Sequence, residues 1–90
     1  YIYKEENFTQ LKTFGAATYM MNHSLDELMK LLDASQFFRV NRQVVINLKA
    51  CHYFTNEEGG KLELHLQPAF DQEVFISQKR ATQFRDWLNR

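Results

Sequence analysis

Arg39, Asn41, Arg42 and Gln43 stand within five consecutive residues of this 90-residue chain. Arginine presents a rigid fork of donors that fits phosphate oxygens and the O6/N7 edge of guanine, and Asn and Gln fit the N6/N7 edge of adenine. The four lie between an aromatic pair, Phe37-Phe38, and a β-branched run, Val44-Val45-Ile46, and no Asp or Glu occurs from Ser35 through Asn56. A buried strand needs no guanidinium at its entrance, whereas a surface that grips phosphates does. Extended backbone would turn Arg39 and Arg42 to opposite faces. A loop is therefore expected here, with Arg42 outward and Arg39 either beside it or paired with an acid such as Asp33.

A second group follows the same chemistry. Ser77 is placed to cap a helix whose first turn holds Gln78, Lys79 and Arg80. Two cations there face the positive end of the helix dipole, at a cost of about 0.3–1 kcal/mol each at exposed sites. A phosphate bound jointly by the free amides and the cations would reverse that cost; the alternative is that both cations are solvated. Charge is segregated accordingly. The chain is neutral overall, with 11 basic and 11 acidic residues. Arg39, Arg42 and Lys49 are unopposed in 35–50, and Lys79, Arg80, Arg85 and Arg90 outweigh Asp86 in 77–90. Acids prevail in 1–34 and 51–76. Such segregation favours a polyanionic partner even at zero net charge.

Enzymatic constellations are absent from the sequence. His23, His52 and His65 fall on different elements without metal-ligand spacing. Cys51 and His52 are strand neighbours and point to opposite faces, so they cannot form a nucleophile–base dyad. Glu57-Glu58-Gly59-Gly60 is turn chemistry. No catalytic residue, metal or cofactor is expected. Phe37, Phe38, Phe84 and Trp87 read as core residues rather than stacking platforms for single strands.

The elements that must position these groups follow from periodicity. The length fits one small domain, and a single cysteine fits a reducing compartment, so a cytoplasmic location is expected and no membrane partner. Tyr1-Ile2-Tyr3 and Phe8–Phe14 read as strands, with a turn at Gly15-Ala16 leading into Ala17–Asn22. Ser24-Leu25-Asp26-Glu27 is a capping box, and Leu25, Leu28, Met29 and Leu32 place an amphipathic helix over 25–33. Gln43–Leu48, Ala50–Thr55 and the strictly alternating Lys61–Gln67 are strands, the latter two a hairpin across Asn56–Gly60. Glu73–Ile76 is a last short strand. In the final helix Ala81, Phe84 and Leu88 form the apolar stripe with Trp87 at its flank, and Lys79 and Arg90 lie opposite.

Three segments resemble the LytTR (LytR/AlgR-type) family. Phe38-Arg39-Val40-Asn41-Arg42-Gln43-Val44-Val45-Ile46-Asn47 is similar to its F-R-hydrophobic-H-R-S-x-x-V-N signature, Ser24-Leu25-Asp26-Glu27-Leu28 to its S-L-x-E-L helix start, and Val74–Lys79 to its hydrophobic-V-S-R segment. The resemblance implies a mostly β fold of elongated, stacked antiparallel small sheets (a β-β-β sandwich type) with one short helix and a C-terminal helix. It implies binding of double-stranded DNA through three loops. These map to Asn7, Thr9 and Gln10, to Arg42 with Arg39, Asn41 and Gln43, and to Lys79 with Ser77, Gln78 and Arg80. It further implies the output half of a two-component response regulator, with a receiver domain upstream, a cognate sensor kinase, and two copies on paired half-sites. The family's first strand is expected to lie before Tyr1. The sequence departs from the family at Asn41 (often His), Gln43 (often Ser) and Gln78 (often Arg), and Glu5 and Glu6 make the first loop acidic. The competing reading is a β-rich interaction module whose basic loops meet an acidic protein.

Overall fold

The computed structural model describes residues 1–89; Arg90, placed above on the outer side of the last helix, lies outside them. The order is β1 (Ile2–Glu5), β2 (Phe8–Lys12), β3 (Thr18–Met21), α1 (Leu25–Leu31), β4 (Phe37–Arg39), β5 (Val44–Asn47), β6 (Cys51–Asn56), β7 (Leu62–Leu66), β8 (Val74–Ile76) and α2 (Gln78–Leu88). A five-stranded sheet runs β3-β2-β1-β5-β4 and a three-stranded sheet runs β6-β7-β8, with every pairing antiparallel. The expected class, stacked antiparallel sheets with one short helix and a C-terminal helix, is what the chain adopts.

Strand alternation splits the first sheet between two cores. Ile2 and Val45, opposite each other across β1 and β5, join Leu25 and Leu28 of α1. Tyr3, Val44 and Ile46 turn the other way, onto Leu62, Leu64, Leu66, Val74 and Ile76 of the second sheet and Ala81, Phe84 and Trp87 of α2. The pair Phe37-Phe38 divides likewise: Phe37 packs under α1, and Phe38 meets Phe84 and Trp87 at ring distances of 5.6 and 5.3 Å. The segment that carries the arginines is thus anchored on both faces. Each such buried side chain contributes about 1.5–3 kcal/mol.

Most element ends shift by one or two residues from the sequence expectation, β4 is a strand that it did not include, and four differences have a local cause. β2 stops at Lys12, because the Thr13 carbonyl and hydroxyl accept from the Ala16 and Ala17 amides and close a turn. α1 stops at Leu31 rather than residue 33: Leu32 is extended, and Asp33 accepts from the Ser35 amide and hydroxyl, a local turn that competes with the helix. Arg39 is the last residue of β4, opposite Val45, so the loop begins after it. In α2 the buried stripe is Ala81, Phe84 and Trp87, with Leu88 only half-buried. The Trp87 indole donates to the Ala34 carbonyl at 3.0 Å, and that partner draws the ring inward.

Candidate nucleic-acid interface

The β4–β5 connection is held from inside by two of its own side chains. The Arg39 Nε donates to the Asn41 carbonyl at 2.8 Å, Nη2 to the Arg42 carbonyl at 3.0 Å, and Nη1 to the Asp26 carboxylate at 2.8 Å. All three guanidinium nitrogens are therefore engaged, and the side chain is only 21% exposed. An acidic partner for Arg39 was one of the two expectations; Asp26, in the first turn of α1, takes that role. Arg39 holds the Asp26 carboxyl below its ordinary value, first through the hydrogen bond and then through its charge.

Asn41 is the second fastener. Its Nδ2 donates to the Phe75 carbonyl of β8 at 3.0 Å, and its Oδ1 accepts from the Gln43 amide at 2.7 Å. The amide grouping expected to read a base edge is thus occupied by protein, and it ties the loop of the first sheet to the edge of the second. Arg42 and Gln43 remain exposed, Arg42 outward as expected.

The start of α2 meets this loop. Ser77 caps the helix, its hydroxyl accepting from the Arg80 amide at 3.4 Å, and no acid occupies the first turn. Lys79 is exposed. Arg80 folds back instead, with its guanidinium carbon 5.1 Å from the centre of the Phe38 ring and its Nε buried without a partner. Gln78 lies against the β6–β7 turn, where a Cβ on Gly60 would come within 2.8 Å of its Cγ.

Two adjoining grooves gather part of these groups, while Gln43, Gln78 and Lys79 line neither. One, of about 680 Å³, is lined by Arg39, Asn41, Arg42, Lys61, Phe75, Ser77 and Arg80. The other, of about 310 Å³, is lined by Lys4, Asn7, Phe8, Thr9, His23 and again Arg39 and Arg42. All three sequence-expected loops therefore border one continuous face. Within it Asn7 is exposed and Thr9 is 8% exposed, with its side chain withdrawn from solvent; Gln10, the next residue of β2, is half-buried and lines neither groove. Lys4, Arg39, Arg42, Lys61 and Arg80 line the two grooves against a single acid, Asp26, which borders both. Lys4, Lys61 and Asp26 were not singled out in the sequence. Lys61, whose Nζ sits 4.7 Å over the Phe75 ring, opens a strand far from either basic segment, and only the register of β7 on β8 brings it there.

Of the groups set aside as non-catalytic, His23 lines the smaller groove and the others lie elsewhere. His65 stacks on Tyr53 with ring centres 4.3 Å apart, and His52 Nδ1 is 2.9 Å from the Gln67 side-chain oxygen. Cys51 is half-buried against the main core, and burial pushes its thiol up. Among the described residues no helix is long and apolar enough to cross a membrane.

The fold and sequence both have counterparts. The chain superposes on the LytTr DNA-binding domain of a methyl-accepting/DNA response regulator from Bacillus cereus with a TM-score of 0.80, covering 99% of this chain and 79% of that one at 21% identity. It is 35% identical to an uncharacterized response regulatory protein of Vibrio cholerae over 73% of its own length, and spans only 26% of that protein. Residues 1–89 match the LytTr DNA-binding domain family. The chain belongs to that family.

Proposed function

We propose that this chain binds double-stranded DNA as the output domain of a transcriptional regulator, using the face on which the three loops meet. The observation that carries the reading is convergence. Two basic segments separated by the 26 residues 51–76, in which acids outnumber bases, close on one groove, joined by the Asn41–Phe75 hydrogen bond. In this reading Arg42 enters the major groove and meets base edges, with Gln43 beside it. Lys79 and the first-turn amides that the Ser77 cap leaves free hold a phosphate. Arg80, stacked on Phe38, adds charge to the groove wall. Asn7 reaches an adjacent backbone, while Thr9 and Gln10 shape the strand behind it.

We further propose that a phosphoacceptor receiver domain precedes this chain, answering to a sensor kinase, and that two copies occupy paired half-sites in the cytoplasm. The likeness to a response regulatory protein about three times as long supports the first part. The test is a salt titration with random and selected duplexes. Arg42→Ala should cost about 1–3 kcal/mol on the selected duplex and relax its specificity. Lys79→Ala should weaken both duplexes evenly and lower the salt slope by about 1. Unchanged binding in the double variant would refute the assignment of this face. Absence of binding at every salt would favour an acidic protein partner instead.

A further inference from the structure

Asp26 is out of place. It is the one acid lining either groove, among Lys4, Arg39, Arg42, Lys61 and Arg80, and its side chain is 85% exposed. A carboxylate there repels phosphate, so the domain's affinity for DNA would be higher without it. Its contact explains what it does. Asp26 holds Nη1 of Arg39, while the other two nitrogens of that guanidinium grip the carbonyls of Asn41 and Arg42. The Arg39 charge is spent inside the protein, and its donors fix the backbone that presents Arg42.

We propose that Asp26 and Arg39 form a positioning pair that sets specificity: Asp26 withholds Arg39 from phosphate and commits it to shaping the Arg42 loop. This rests on the DNA-binding reading above and deepens it. The face carries two kinds of arginine. Arg42 is exposed and free to meet the partner, whereas Arg39 is half-buried and each of its three nitrogens already has an acceptor in the protein. A released Arg39 would add a phosphate contact of equal strength on any sequence and loosen the loop that discriminates between sequences. The pair thus trades non-specific affinity for a higher ratio of specific to random binding, the quantity that governs occupancy among many competing sites.

The test uses the domain with two probes, a random-sequence 20-bp duplex pool and the duplex that the wild-type protein selects from it. Binding is measured across a salt series for Asp26→Asn, Arg39→Gln and wild type, and amide exchange of Gln43 is measured in each free protein. Arg39→Gln should leave the salt slope on the random pool unchanged while lowering the selected-to-random ratio by roughly tenfold, equivalent to about one lost contact. Asp26→Asn should steepen that slope by about 0.9, strengthen binding to the random pool, and lower the ratio. Both should speed exchange of the Gln43 amide, which the ordered loop protects through Asn41. The proposal is overturned if Arg39→Gln reduces the slope by about 0.9, which would make Arg39 a phosphate contact. It is equally overturned if Asp26→Asn strengthens both duplexes alike with the ratio unchanged. Should the wild type bind neither duplex, the DNA reading fails by itself. The exchange measurement still judges the pair, and unaltered Gln43 exchange in both variants refutes it.

Discussion

Replacing Asn41 by Ala separates a structural role from a recognition role at one position. The side chain makes two hydrogen bonds, a part-buried one to the Phe75 carbonyl at 3.0 Å and an exposed one from the Gln43 amide at 2.7 Å. A typical hydrogen bond contributes about 0.5–1.5 kcal/mol net, and a buried group left without a partner costs about 1–3. The Phe75 carbonyl, on a half-buried residue, would regain water in part, so the sum is about 1.5–3 kcal/mol. For a domain of this size about 1 kcal/mol shifts Tm by roughly 4–8 °C. Asn41→Ala should therefore lower Tm by roughly 6–24 °C, read by calorimetry in the absence of DNA. Asn41→His retains a ring N–H able to reach the carbonyl and should recover most of the loss. If Asn41→Ala melts within about 2 °C of wild type yet binds DNA poorly, Asn41 is a base contact. The claim that it fastens the two sheets would then be wrong.

Three other perturbations test separate parts of the argument. Phe84 is fully buried against Phe38, Phe54 and Trp87; Phe84→Ala should cost about 3–5 kcal/mol in urea denaturation, much of what so small a domain possesses. Gly59 and Gly60 both have positive φ, +74 and +80°, but only at Gly60 would a Cβ meet Gln78. Gly59→Ala should then cost about 1–2 kcal/mol of backbone strain, and Gly60→Ala more, with displaced Gln78 resonances; equal costs would contradict the contact. The Asp26 carboxyl titrates below its ordinary value of 3.8 because Arg39 bonds to its charged form. A lowered folded value means the pair stabilises above 3.8 and the contribution is lost as pH falls through the depressed value. An NMR titration of Asp26 should show the midpoint return toward 3.8 in Arg39→Gln, and an unmoved midpoint would dissolve the pairing.

The sequence by itself determined the elements, β4 excepted, and the presence of two cationic segments. Caps, alternation and helical spacing are local properties, so Ser24 with Glu27, the leucines of β7 and the Ser77 start of α2 were legible without a fold. The reading of Phe37 and Phe38 as core residues was legible too. Their division between two cores was not, because it depends on β4, a strand that the local pattern did not announce. Boundaries were less legible wherever a turn formed by Thr13 or Asp33 outbid the pattern beside it. What only the tertiary structure decided was the assignment of work among the polar residues. Asp26 against Arg39, Asn41 against the Phe75 carbonyl, and Lys4 and Lys61 at the rims are contacts between elements distant in the chain, set by how one sheet lies on the other. Residue type and spacing show that a guanidinium or an amide is available. Whether its donors are already filled by protein depends on which carbonyl or carboxylate packing brings within about 3 Å, and that divides Arg42, left to a partner, from Arg39 and Asn41, spent on the loop.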